Sequence, residues 1–293
     1  MLDGEFKKSV ELKLAELYQE PVVITGFSVT GGGSISHSGR IHTDKGYFFL
    51  KWNKETNGSG MFQAEIKGLQ TLRLSNTLYI PEVIASGAVS QFHFLLLEYF
   101  NVSKAISDQV VREAGKKLAL LHKHSNAAFG LEYDNFIGSL RQINTQKSSW
   151  KDFFIECRLE PLLQTGVNKG LIAKNLVGTL ENLYKRADEI FPAELPSLLH
   201  GDLWSGNILF SATEGALIDP AVYYGFREMD LAMGRLFGGV QESFYEGYTE
   251  EWPLAPGWKQ RIEICNLYPL LVHVHLFGEG YVAAVVDVLK RFK

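Results

Sequence analysis

The feature that most constrains the fold is a change of period near residue 100. Before it, apolar runs of strand length (22–29, 34–42, 47–52, 82–87 and 92–99) are separated by short turns. Gly31-Gly32-Gly33 divides the first two runs and Asp44-Lys45-Gly46 the next two, which predicts hairpins and an antiparallel five-stranded sheet. Two stretches have helical spacing instead. Residues 5–18 put Phe6, Val10, Leu14 and Leu17 on one face, and a helix opened by Gly58-Ser59-Gly60 and running to Ser75 does the same with Phe62, Ile66, Leu69 and Leu72. From residue 101 long helical periods dominate, over 108–124, 150–165, 172–191 and several segments after Arg227, interrupted by a loop-and-strand island at 200–220. Strands first and helices after predict an α+β chain of two lobes facing a cleft: an N-lobe of sheet and helix over residues 1–100 and a mostly helical C-lobe over 101–293.

Composition removes several classes of function. With 46% apolar and 21% charged residues, the 293-residue chain is an ordinary globular one. A net charge of −4 gives no reason to expect nucleic acid or an acidic membrane as partner. No apolar run approaches the roughly 20 residues that span a bilayer. The polar, amphipathic N-terminus does not resemble a secretory signal, and Cys157 and Cys265 lack any C-x-x-C pairing, so a cytoplasmic protein with reduced thiols is expected. His122/His124 and His273/His275 are spaced i, i+2, which puts the members of each pair on different sides of a helix and argues against a dedicated zinc site.

The island at 200–220 carries the densest chemistry. His200-Gly201-Asp202-Leu203-Trp204-Ser205-Gly206-Asn207 is followed by Leu217-Ile218-Asp219-Pro220. Phosphoryl transfer from ATP needs a carboxylate beside the acceptor hydroxyl and oxygen ligands for magnesium on the phosphates. Asp202, Asn207 five residues later and Asp219 twelve beyond that supply them, with the apolar runs 208–210 and 216–218 as the strands that bring Asn207 and Asp219 together. Lys51, on the apolar strand Phe48-Phe49-Leu50-Lys51-Trp52, suits a phosphate contact, oriented by Glu65 on the following helix. Gly31, Gly32, Gly33 and Ser34 could bring backbone amides to phosphate oxygens, although the run is neither G-x-G-x-x-G nor a Walker loop. The backbone from Glu98 to Phe100 is the expected adenine-contacting hinge. A Ser205–His200–Asp202 hydrolase triad is disfavoured, because no G-x-S-x-G elbow surrounds Ser205.

These stretches, with Asp-Pro-Ala-Val-Tyr-Tyr-Gly-Phe-Arg-Glu-Met-Asp-Leu-Ala-Met (219–233), Leu-Phe-Gly-Gly (236–239), Pro-Leu-Ala-Pro-Gly-Trp (253–258) and residues 266–281, resemble the fructosamine/ketosamine-3-kinase family from end to end. The resemblance implies a protein-kinase-like fold related to aminoglycoside and choline kinases. It also implies ATP and Mg2+, with Asp202 as base, Asn207 and Asp219 as metal ligands, and Lys51 with Glu65 as the phosphate pair. The implied reaction phosphorylates the C3 hydroxyl of a ketosamine (ribulosamine, erythrulosamine or fructosamine), carried on a free glycated amine or a glycated protein lysine, by a monomer or a dimer. The chain departs from the family pattern at Phe226, Pro269, Val272 and His275, and has Ser34 where several members carry cysteine; the changes over 269–275 are expected near the acceptor pocket.

On the acceptor side, Trp204 lies two residues after the proposed base and could wall a sugar's C–H face, with Tyr223 and Tyr224 beside it and Trp258 and Tyr268 adding aromatic area. A cationic acceptor of the aminoglycoside or choline type would instead need acidic residues, for which Glu228, Asp230, Glu242 and Glu246 are candidates. A non-catalytic nucleotide-binding protein is the remaining alternative.

Overall fold

The computed structural model describes residues 4–29, 37–54 and 58–292. The glycine run Gly31-Gly32-Gly33 and Ser34 lie outside the described residues. The N-lobe comprises α1 (Gly4–Tyr18), β1 (Ile24–Val29), β2 (His37–Thr43), β3 (Gly46–Asn53), α2 (Gly58–Leu74), β4 (Val83–Val89) and β5 (Phe92–Glu98). Its strands form one antiparallel sheet in the order β1-β2-β3-β5-β4. Alternation along β3 sorts its side chains between two environments. Phe48 and Leu50 pack under α1 with Phe6, Val10 and Leu14, whereas Phe49 and Lys51 face the cleft. Leu95 and Leu97 of β5 join Phe62, Leu69 and Leu72 of α2 in a core that continues into the C-lobe.

The C-lobe follows with α3 (Asp108–His122), β6 (Asn135–Ile137), β7 (Leu140–Gln142), α4 (Trp150–Phe153), a π-helical turn at Phe154–Leu159, α5 (Glu160–Asn168), α6 (Val177–Ile190), β8 (Ser197–Leu199), β9 (Ile208–Phe210), β10 (Gly215–Leu217), β11 (Tyr223–Gly225), α7 (Glu228–Leu236), α8 (Glu242–Glu251), α9 (Trp258–Cys265), α10 (Leu267–Phe277) and α11 (Val282–Leu289). The expected helix over 150–165 is therefore split by the π turn, which one extra residue per turn produces. Helices α3 and α8 approach backbone to backbone through reciprocal glycines. A Cβ on Gly115 would stand 1.9 Å from Phe244 O, and one on Gly247 would stand 2.0 Å from Arg112 O.

Two small ladders fold the 200–222 segment. β8 pairs with β11 at its base, and β9 pairs with β10 at its tip. Ala221 N–H donates to His200 O (2.9 Å) and Ile218 N–H to Asn207 O (3.1 Å), so residues 200–207 and 218–221 run side by side. The tip is tied to the N-lobe turn between α2 and β4 by Leu217 N–H donating to Tyr79 O (3.0 Å).

Candidate active site

A cleft of about 760 Å³ between the lobes gathers Lys51 and Glu65 from above and Asp202, Trp204, Asn207 and Asp219 from below. Lys51 Nζ donates to both oxygens of Glu65 (2.8 and 2.9 Å) and to Asp219 Oδ1 (2.8 Å). Burial alone would lower the Lys51 amine, but the charges of Asp219 and Glu65 outweigh it and hold it above the usual lysine range. Burial pushes Glu65 up to about 7, against the pull of Lys51. Asp219 has φ of 54°, the left-handed region.

Asp202 stands at the cleft floor. Burial and the nearby charge of Asp219 push its carboxyl up to about 7, with the Asn207 amide working the other way. Asn207 donates its amide to Asp202 O (2.8 Å) and Oδ2 (3.0 Å), which leaves its carbonyl oxygen as the atom available to a cation. The Trp204 indole lies across its own turn: a Cβ on Gly206 would be 2.3 Å from the ring. That close approach requires glycine at 206.

Beneath the loop lies a brace that the sequence did not advertise. Asp230 at the start of α7 accepts the backbone N–H groups of His200 (2.7 Å) and Gly201 (2.9 Å) and bonds His122 Nε2 (3.1 Å). His200 accepts at Nδ1 from Asp202 N–H (3.3 Å) and donates from Nε2 to Ile218 O (2.8 Å), and burial lowers its pKa. Both ring nitrogens are thus committed to backbone, so His200 has none left to activate Ser205. Gly201, at φ of 82°, packs so tightly that a Cβ would lie 2.0 Å from Ala221 O.

Glu98, Tyr99 and Phe100 line the cleft where the chain passes between lobes. Glu98 N–H is spent on Glu82 O (2.9 Å), so that donor is not free for a ligand.

The far wall differs from the sequence expectation. Tyr223 does not reach the cleft: on β11 it turns into the core, 1% exposed, with its ring 4.1 Å from the Arg158 guanidinium. Tyr224 is also off the cleft, its backbone paired with Gly130. Tyr268 is buried and donates to Gln142 Oε1 (2.7 Å), and Trp258 lies beside a separate hollow. Of the four family departures, Val272 alone lines the cleft. Phe226 is packed among Trp150 and Phe191, Pro269 O accepts from His273, and His275 bonds Leu162 O (2.8 Å). The wall is built instead from Phe237, His273, Phe277 and Tyr281, whose rings pack 4.4–5.2 Å from that of His273. The i, i+4 pair His273/Phe277 was the available signal for this face of α10. His273 Nδ1–H donates to Pro269 O (2.8 Å) and burial lowers its pKa, which leaves neutral Nε2 as an acceptor.

The acidic residues suited to a cationic acceptor are all committed elsewhere. Glu228 is buried against Arg261 (2.6 and 2.8 Å), Asp230 braces the loop, Glu242 pairs with Arg235 (2.9 and 3.0 Å), and Glu246 pairs with Arg112.

Two lobes around a cleft with this lysine–glutamate pair and this Asp-Asn-Asp floor define a phosphotransferase of the protein-kinase-like fold. Comparison with known proteins narrows the class. The fructosamine kinase family model matches residues 6–293. A probable ketoamine kinase of Enterococcus faecium is 36% identical over 270 residues, 89% of this chain and 93% of that one. The chloroplastic protein-ribulosamine 3-kinase of Arabidopsis thaliana is 34% identical over 283 residues, 92% of this chain and 83% of that one. The crystal structure of a putative fructosamine-3-kinase from Thermobifida fusca YX-ER1 superposes with a TM-score of 0.85 at 31% identity, covering 97% of this chain and 98% of that one. The chain belongs to the fructosamine kinase family, and it is a kinase.

Proposed function

We propose that this kinase transfers the γ-phosphoryl group of ATP to the C3 hydroxyl of a ketosamine, with ribulose- and erythrulose-derived adducts ahead of fructose-derived ones. The observation that carries the reading is one cleft wall holding the Asp202 carboxylate and the Trp204 indole, directly below the Lys51–Glu65–Asp219 cluster. Residues 1–100 would bind the nucleotide, with adenine at Glu98–Phe100, the phosphates under Gly31–Gly33 and Ser34, and Lys51 on the α/β-phosphates once released from Asp219. Residues 101–293 would supply acceptor and metal sites.

Among the described residues no three His, Cys, Asp or Glu side chains form a self-sufficient metal cage. Asn207 and Asp219 fit magnesium nonetheless, since that ion commonly takes one or two protein oxygens and completes its shell from phosphates and water. When bound it would neutralise charge on the transferring phosphoryl group. Asp202 would orient the C3 hydroxyl and take its proton as the O–P bond forms; a loose transition state does not need the alkoxide beforehand. Trp204 would carry the sugar's apolar face. The product, a ketosamine 3-phosphate, can enolise towards C1 and expel inorganic phosphate from C3. Hydrolysis of the resulting imine frees the amine, so one phosphoryl transfer suffices for deglycation. The substrate would be a free glycated amine or a glycated protein lysine, met in the cytoplasm by a monomer or dimer.

The test is a phosphorylation screen over the three ketosamines on one amine, with aminoglycosides and choline-like alcohols as competitors. Transfer to a ketosamine, followed by slow release of phosphate and free amine, is expected. Exclusive formation of a stable ester on an aminoglycoside or choline-like alcohol would overturn the acceptor assignment and leave the kinase assignment standing.

A further inference from the structure

Arg158 is fully buried, and its partners are neutral: the carbonyls of Ile143 and Cys157 and, at 2.8 Å, Asn144 Oδ1. Rings of Tyr223 (4.1 Å), Phe153 (4.5 Å) and Tyr268 (5.2 Å) surround the guanidinium, and its Nε has no hydrogen-bond partner. A buried cation without a carboxylate is costly, and aromatic faces offset only part of that cost. The π turn at Phe154–Leu159 carries this residue, and such turns often occur where a helix must aim a side chain for function.

From Arg158 a chain of amides runs in one direction. Asn144 accepts from Arg158 and donates to Asn135 Oδ1 (2.8 Å), and Asn135 donates to Val222 O (2.8 Å). A second arm starts at Tyr268, whose hydroxyl donates to Gln142 Oε1 (2.7 Å); Gln142 donates to Asn135 Oδ1 (2.7 Å) and Ala221 O (2.9 Å). Asn144 also donates to Tyr133 O (3.1 Å); the other bonds lead to the carbonyls two and three residues beyond Asp219. Each bond polarises the next, so a cation at the origin strengthens the whole series. Asn135, Gln142 and Asn144 are all at most 3% exposed, and Asn135 also borders the cleft.

The segment so held touches every other part of the machinery. Ala221 N–H bonds His200 O in the Asp202 loop, and on α2 a Cβ at Gly68 would lie 3.2 Å from Pro220 and 3.5 Å from Val222, one turn from Glu65. Lys67 of the same helix stands 4.6 Å over the Tyr133 ring, just before the β6–β7 hairpin.

We propose that Asn135 and Gln142, backed by Arg158 through Asn144 and by Tyr268, are positioning residues that hold the Asp219 segment in its metal-binding place. They act through Ala221 and Val222, whose carbonyls they hold. The inference rests on the phosphoryl-transfer reading but not on the acceptor's identity.

Asn144→Asp separates this role from plain core packing. Aspartate keeps an oxygen for Arg158 and gives the buried cation a counter-charge, yet it can donate neither to Asn135 Oδ1 nor to Tyr133 O. Core packing alone predicts an equal or higher melting temperature and unchanged catalysis. Positioning predicts a retained melting temperature with kcat lowered about tenfold and half-saturating Mg2+ raised by a similar factor. The KM for the acceptor should be unchanged. Mn2+ binding to the enzyme–ADP complex, read by electron paramagnetic resonance and needing no acceptor, should weaken in parallel. Gln142→Met, which removes the second arm at similar volume, should do the same. Folded variants with parental Mn2+ affinity and kcat would overturn the proposal. So would losses that merely track the unfolded fraction, or failure of both variants to fold.

Discussion

Asp219 combines a charge with an unusual backbone, and two substitutions separate them. At φ of 54° its conformation is one that Asp and Asn tolerate and alanine does not. Asp219→Asn keeps the shape and the conformation but removes the charge, whereas Asp219→Ala removes both. Alanine there should cost about 1 kcal/mol in strain. Neither change strands Lys51, which keeps both oxygens of Glu65 at 2.8 and 2.9 Å. Relief of the charge that pushes Asp202 up offsets part of the lost contact with Lys51. Asp219→Asn should therefore lie within about 1 kcal/mol of the parent and Asp219→Ala roughly 1 kcal/mol below it, some 2–4 °C in melting temperature. Turnover should fall roughly 10³-fold or more in both, since several kcal/mol of charge stabilisation goes with the metal ligand. Calorimetry with a coupled ADP-release assay over a magnesium titration reads both effects, and nucleotide binding without metal should survive. A folded Asp219→Asn enzyme keeping more than about a tenth of parental kcat at saturating magnesium would refute the ligand assignment. Equal melting temperatures for the two variants would refute the backbone argument.

Lys51→Met should lower kcat about 10²–10³-fold, and Glu65→Ala only about tenfold with a raised magnesium requirement, because the lysine then has Asp219 alone to hold; unchanged rates in steady-state assays would break the pairing. Trp204→Ala should raise the acceptor KM roughly 10- to 30-fold, the value of about 2 kcal/mol of ring contact, while leaving KM for ATP alone. Gly206→Ala should reproduce part of that effect by displacing the indole, and a rise confined to KM for ATP would contradict both. Asp202 must be ionised to accept a proton, and its free-enzyme pKa is pushed up to about 7. In pH-rate profiles kcat/KM for ATP should therefore rise with pH through about 7, while kcat rises at lower pH because bound metal offsets the Asp219 charge. The same shift makes metal–nucleotide binding release protons, and limbs that coincide in the two profiles would exclude this account.

Much of the lysine–carboxylate cluster was legible because its residues sit in short contiguous runs. Lys51 falls on an alternating strand, Glu65 on a periodic helix, and Asp202, Asn207 and Asp219 flank two apolar strands that had to pair. The aromatic wall of the cleft was not legible for the opposite reason. Tyr223 and Tyr224 lie next in sequence, but strand alternation and the ladder between β11 and β8 turn them away from the cleft. His273, Phe277 and Tyr281 arrive from a helix 70 residues after Asp202 and the turn beyond it, and only tertiary packing brings them beside Phe237. Asp230 was noted for its charge, yet burial among backbone donors made it a brace for the Asp202 loop.

The distribution of charge in the cleft bears on which acceptors can fit. Among the described residues its carboxylates are Glu65, Asp202, Asp219 and Glu98, the last accepting the Glu82 N–H (3.2 Å). The first three are bound to Lys51 and Asn207, and in the proposed reading they serve the phosphates and the metal. The wall opposite Trp204 presents rings and the neutral Nε2 of His273. A polycationic acceptor would thus have to seek its counter-charges among groups that the nucleotide and metal already need. A ketosamine carries a single amine two carbons from the reacting hydroxyl, where an aromatic face can meet either its neutral or its protonated form. Among the described residues, selection in this cleft would therefore work through the lack of carboxylates free for a polycation as much as through the indole, if Trp204 carries the acceptor as proposed.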